Sequence, residues 1–202
     1  PGTSFRFAWM GDCRGGMIPH EQIAARIKEA QPRFSLYGGD IATDESYNMF
    51  KQEFFLPNEM QLIDGTPFFL AVGNHEMWDV NTKAFTQSPQ SASGTQDYYS
   101  FDYGDAHFLC LNNQVPYRAG SPQYDFVAKD LAESKKPWKI VFGHFPTYCV
   151  GGHNEDPAMV EMAGKLFEPN GVDLVMAAHS HFYEHNLVNG IHYLIIGYAG
   201  AE

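Results

Sequence analysis

Short apolar runs alternate with longer amphipathic ones along this chain. Runs rich in Val, Ile, Phe and Tyr, each closed by Gly, Asp or Asn, predict eight strands. They fall near Phe5–Met10, Phe34–Tyr37, Pro67–Val72, Tyr98–Tyr103, Ala106–Leu111, Lys139–Phe142, Val172–Ala177 and Ile191–Ile196. Helical stretches are expected over Pro19–Ala30, Asp44–Leu56, Ser121–Glu133 and Pro157–Phe167. Ile23 and Ile27 lie four apart on the first of these, and Pro32 stops it. Pro122 and Pro157 suit the first helical position, where a missing N–H costs nothing.

The early order β–α–β–α–β predicts a parallel sheet with crossover helices. Gly104-Asp105 predicts a tight hairpin between the fourth and fifth strands, so an antiparallel piece joins the parallel one. Thr86–Gln96, rich in Ser and Gln, reads as a surface loop. With 202 residues and no repeat, the chain suits one compact domain, 1–202. No apolar run approaches the ~20 residues that span a bilayer.

Charge narrows the partners. The chain carries 24 acidic against 13 basic side chains, a formal −11. Such a surface repels polyanions, so no nucleic-acid partner is expected. Three cysteines exclude a complete disulfide framework; Cys110 reads as core, and one bridge between Cys13 and Cys149 stays open. The opening at Pro1, without an initiator Met, fits a removed signal peptide or a chain trimmed at its start. The abrupt end after an apolar run hints at further C-terminal chain. An extracytoplasmic location is weakly favoured over a cytoplasmic one.

Five strands end in the same way. Gly11 precedes Asp12, Gly39 precedes Asp40, and Gly73 precedes Asn74-His75-Glu76. Gly143 precedes His144, and Ala177-Ala178 leads into His179-Ser180-His181. In an open α/β sheet ligands bind beyond the carboxyl ends of the strands, and Gly lets the backbone turn sharply there. The groups delivered are Asp12, Asp40, Asn74, His144, His179 and His181. Mixed oxygen and nitrogen donors suit Mn, Fe, Zn or Co better than Mg or Ca. Six ligands exceed what one four-coordinate ion needs, and a carboxylate such as Asp40 can bridge a pair of ions. A Gly-Asp turn alone is commonplace, but five such signals at five strand ends are not explained by turns.

In this order the motifs resemble those of the calcineurin-like metallophosphoesterases. The segments Tyr98–Leu109, Trp138–Pro146 and His179–Glu184 are similar to the purple acid phosphatase branch. The resemblance runs from Phe7 to Gly200. It implies an α/β fold in four layers, an α/β/β/α sandwich of two mixed sheets flanked by helices, and a dinuclear centre. By position, Asp12, Asp40 and His181 would hold the first ion. Asp40, Asn74, His144 and His179 would hold the second, with His75 beside the ions.

Two positions depart from the family pattern. Arg14 stands where a ligating His is usual, and Thr43 where the purple branch supplies a Tyr. At about 5 Å from a divalent ion and an effective dielectric of about 20, an Arg meets about 6–7 kcal/mol of repulsion, which nearby carboxylates offset. Arg14 therefore points at the substrate phosphate, with a guanidinium fork that matches its oxygens, or marks a weakened first site. Asp44 is a candidate to replace the missing ligand or to orient His75.

The reaction expected is hydrolysis of a small phosphorylated substrate by a metal-activated hydroxide. Arg14 and Asn74 would stabilise phosphoryl charge, and His75 would act as general acid. His153, in a Gly-rich loop, is a substrate-contact candidate, and the resemblance puts His185 at the site mouth. His20, His107 and His192 are expected to lack catalytic roles. The rivals are a metal- or ligand-binding relative without turnover, and a phosphodiesterase or pyrophosphatase. A serine hydrolase lacks its Gly-x-Ser-x-Gly elbow here.

Overall fold

The structure is a computed structural model and describes residues 4–77, 82–83 and 92–201. Strands β1 (Ala8–Met10), β2 (Ser35–Tyr37) and β3 (Phe68–Leu70) pair in parallel, with Trp9 beside Leu36 and Leu36 beside Phe69. The other strands are β4 (Tyr99–Tyr103), β5 (Ala106–Cys110), β6 (Trp138–Phe142), β7 (Leu174–Ala177), β8 (Tyr183–Val188) and β9 (Ile191–Ile196). They form a mixed six-stranded sheet in the order β4-β5-β6-β7-β9-β8. Its two outer pairs are antiparallel and the inner ones parallel. The Gly104-Asp105 hairpin forms as expected, with Gly104 at φ 56°.

Helices α1 (Met17–Ala30) and α3 (Pro57–Gly65) flank the small sheet. Between them the stretch expected as one helix is a short α2 (Tyr47–Met49) continued by a π-helical turn, Phe50–Phe54. Helices α4 (Pro122–Glu133) and α5 (Pro157–Met162) cover the large sheet, and α5 also runs into a π-turn, Ala163–Phe167. Both prolines stand in the first turn behind a working cap. Ser121 Oγ accepts from Tyr124 N at 3.2 Å, and Asp156 Oδ1 accepts from Ala158 N at 2.8 Å.

Alternation along the strands sorts side chains into three apolar layers, and these make the four-layer architecture. Phe108, Cys110, Ile140, Phe142 and Met176 point from the large sheet at Leu36 and Phe34 beside the small one. The intervening Leu109, Val141 and Val175 face α4 and α5, with Val127, Leu131 and Phe167. Tyr37 and Met10 face Ala24, Phe54 and Leu62 on the opposite side. Between the sheets Phe108 meets Phe7, Phe34 and Phe101 at ring centroids of 5.4, 5.2 and 5.0 Å.

Several expectations change. Helix α3 and strand β8 were not anticipated. Of the expected loop Thr86–Gln96, residues 86–91 lie outside the described residues, and 92–96 are turns and bends. The Cys13–Cys149 bridge is not formed; all three cysteines are free, Cys13 and Cys110 being buried. Among the described residues no helix is long and apolar enough to cross a membrane.

Candidate metal centre

Strands β1, β2 and β3 of one sheet and β6 and β7 of the other send their carboxyl ends to the same place. Hydrogen bonds between the exiting loops set the spacing: Asp12 N to Gly39 O at 2.9 Å, Arg14 N to Asp40 O at 3.2 Å, and Ala178 N to His144 O at 3.0 Å. Three non-glycine residues here have left-handed backbones: Asp12 (φ 57°), Asp40 (φ 52°) and His179 (φ 68°). Each such conformation costs about 1–3 kcal/mol and persists only where its surroundings enforce it. Concentration of that strain at three candidate ligands fits a functional site.

The side chains meet as a continuous cluster. Asp40, His144 and His179 bring one ligand atom each within 4.8 Å of one another. His144 Nδ1 lies 2.6 Å from the Gly38 carbonyl, an acceptor only, so Nδ1 carries the proton and Nε2 presents its lone pair. Around that lone pair stand Asn74 Oδ1 at 3.0 Å, His179 Nδ1 at 3.1 Å and Asp40 Oδ1 at 3.5 Å. A cation placed among these atoms would be within reach of all of them.

A second group adjoins the first. His181 Nε2 is 3.5 Å from Asp12 Oδ1, while Asp12 Oδ2 accepts from the backbone N of His179 at 2.8 Å. Oδ1 of Asp12 is buried without a hydrogen-bond partner, an orphaned acceptor of the kind a metal ion satisfies. Arg14 Nε stands 3.5 Å from Asp40 Oδ2, on this same side.

His75 stands at the rim, its side chain 31% exposed. Nδ1 donates to the Thr43 carbonyl at 3.1 Å, and Nε2 lies 3.8 Å from Asp40 Oδ2. Thr43 thus orients this ring through its backbone. Asp44 does not: its carboxylate accepts from Ser46 N at 2.8 Å. His153 is exposed and stacks on His179, centroids 4.0 Å apart. His185 is not at the site mouth. It lies on β8 with Nε2 2.8 Å from His192 Nδ1, in a surface cleft with Trp138 and Tyr183. His107 is held between Asp102 and Asp130, and His20 lies beside Glu59.

Burial sets the electrostatics. It drives His179 down to about 3, helped by His144 and His153, so the ring is neutral and its lone pair available. Burial raises the Asp12 carboxyl, against the opposing pull of the His181 ring beside it. Burial and the charge of Asp40 push Glu76 up to about 8.

Glu76 was singled out by the sequence only as part of the run after Gly73, without a role. It is fully buried and accepts hydrogen bonds from Asp40 N and Gly73 N, both 3.0 Å, and from Ile41 N. A turn requires no Glu at that position, and this was the one available signal. The Gly38 and Thr43 carbonyls carry no such mark.

Comparison with known proteins identifies the family. The profile of the calcineurin-like phosphoesterase family matches residues 5–183. Purple acid phosphatase 18 of Arabidopsis thaliana is 29% identical over 174 residues, covering 78% of this chain and 39% of that protein. Probable inactive purple acid phosphatase 9 of the same plant is 26% identical over 216 residues, covering 81% and 33%. The chain therefore spans well under half the length of these relatives. In structure, purple acid phosphatase PPD1 from yellow lupin (Lupinus luteus) superposes with a TM-score of 0.82 at 21% identity, over 100% of this chain and 45% of the other. With a family profile matched over most of its length and this fold beneath it, the chain belongs to the calcineurin-like phosphoesterases.

Proposed function

We propose that this chain hydrolyses esters of phosphate at a dinuclear metal centre, with Asp40 bridging. The observation that carries the proposal is the convergence of Asp40, His144 and His179, whose ligand atoms lie within 4.8 Å of one another. With Asn74 these would hold one ion; Asp12, Asp40 and His181 would hold the other. The donor chemistry fits Mn, Fe, Zn or Co. Bound ions of this kind supply a hydroxide nucleophile near neutral pH and positive charge for the phosphoryl oxygens.

The protein's own groups do the rest. The Asn74 amide and the Arg14 guanidinium, its Nε anchored on Asp40, bind and orient phosphoryl oxygens. Nδ1 of His75 is committed to Thr43, so Nε2 is the atom that delivers a proton to the leaving oxygen. His153, stacked on His179, contacts the substrate beside the centre. The formal −11 charge favours small phosphorylated substrates over polyanions. Assays of p-nitrophenyl phosphate beside its bis ester separate a monoesterase from a diesterase.

Asp40→Asn tests the assignment: metal and activity are expected to disappear together, and full activity with metal retained would defeat it. A second reading, metal binding without turnover, is favoured by the Arg14–Asp40 contact and by relatives named as probable inactive phosphatases. It expects one bound ion and no hydrolysis under any of the four metals.

A further inference from the structure

We infer that Glu76 is a positioning residue, which fixes Asp40 in its bridging pose by tying together the loops that leave β2 and β3. This inference rests on reading Asp40 as a metal ligand. Asp40 adopts a left-handed backbone at φ 52°, a conformation that L-residues leave unless held. Its N–H, the next N–H at Ile41 and the N–H of Gly73 all end on the one carboxylate of Glu76. In return Asp40 Oδ1 accepts from His75 N at 2.9 Å. Each loop thus holds the other, and the reciprocal bonds leave the Asp40 carboxylate one direction, toward His144 and Arg14.

Shape and burial make the clamp specific. Glu76 is 0% exposed, so water does not replace a lost acceptor. At Gly73 a built Cβ lies 2.1 Å from Asp40 Oδ1 and 2.8 Å from Glu76 Oε2, so the loops touch with no side chain between them. A Gln at position 76 keeps the volume but offers a single acceptor oxygen and turns N–H groups toward backbone N–H groups. At least one of the three donors then loses its partner.

The test is a Co²⁺ titration of the metal-free full chain, read by visible d–d absorption, for the wild type, Glu76→Gln and Glu59→Gln. Glu59 is an equally buried carboxylate whose contacts are Tyr37 and His20, so it reports general destabilisation. Loss of a group that orients a metal ligand typically weakens affinity about 10–100-fold. Glu76→Gln is expected to raise the apparent Kd for Co²⁺ by that factor and to shift the d–d band. Glu59→Gln is expected to lower Tm while leaving both unchanged. If Glu76→Gln does not fold, Glu76→Asp carries the same expectation, keeping the carboxyl group but standing one methylene short of its donors. A folded Glu76 variant with wild-type Kd and band overturns the inference alone. Wild-type protein that takes up no Co²⁺ overturns the reading of the centre, and this inference with it.

Discussion

Gly73→Ala should impair catalysis through a single methyl group. The new Cβ would sit 2.1 Å from Asp40 Oδ1 and 2.3 Å from Asp40 N. Real Cβ atoms essentially never come closer than 3.0 Å, so from 2.1 Å the carboxylate oxygen must retreat by about 0.9 Å. The neighbour is backbone and a doubly held side chain, so the displacement falls on Asp40, the ligand proposed to be shared between the two ions. A misplacement of about 1 Å costs about 10²-fold in rate, equivalent to about 2.7 kcal/mol of transition-state stabilisation. The assay is kcat/KM for p-nitrophenyl phosphate under saturating metal, alongside metal content. Gly65→Ala is the control: nothing lies within 4 Å of its built Cβ, and stability should rise by about 0.4–1 kcal/mol with activity unchanged. A Gly73→Ala protein within about threefold of wild type in kcat/KM would refute the reasoning.

His75→Ala should slow hydrolysis of alkyl phosphates by about 10²–10⁴-fold and affect p-nitrophenyl phosphate far less, because nitrophenolate leaves without a proton; equal losses would remove His75 as the acid. His107 offers a pH test of stability. Burial lowers its pKa, but hydrogen bonds to Asp130 and Asp102 outweigh burial and raise it above 6.5. Its contribution is therefore fully present below pH 6.5 and lost as pH rises through the folded value. The Tm difference between wild type and His107→Gln should be largest on the acid side, and a difference that grows toward alkaline pH would contradict the assignment. Phe108→Ala, at the centre of the layer between the sheets, should destabilise by about 3–5 kcal/mol in urea unfolding.

Much of the architecture was legible because strand ends and helix starts carry chemical marks. Pro122 and Pro157 announced their helices, and unbroken apolar runs gave the buried strands of the large sheet. Pro57 went unread by the same rule: it follows the expected helix Asp44–Leu56 and stands at the first turn of α3, where its missing N–H is equally harmless. Strand β8 escaped because Tyr-Glu-His-Asn-Leu-Val is no apolar run: it is an edge strand whose positions alternate only between exposed and half-buried. The Asn189-Gly190 pair that closes it, at φ 50° and 86°, is a strong hairpin signal. That omission also misplaced His185, which β8 carries to the face shared with His192.

The centre divides in the same way. Asp12, Asp40, Asn74, His144, His179 and His181 were visible because each follows a strand that must stop and turn. Glu76 was named but given no role, because its partners are backbone groups of a loop 35 residues away. The Gly38 and Thr43 carbonyls, which set the tautomers of His144 and His75, have no side-chain signature at all. Arg14 could be read only as an anomaly; its contact with Asp40 exists because the loops after β1 and β2 are bonded to each other.

The central claim is that residues distant in sequence gather around cations that hydrolysis requires. Its most direct test is metal analysis of the purified chain, followed by chelation and resupply of Mn, Fe, Zn or Co with p-nitrophenyl phosphate as substrate. The account predicts bound transition metal, loss of hydrolysis on chelation, and recovery with at least one of the four. Hydrolysis that persists in metal-free protein would contradict it.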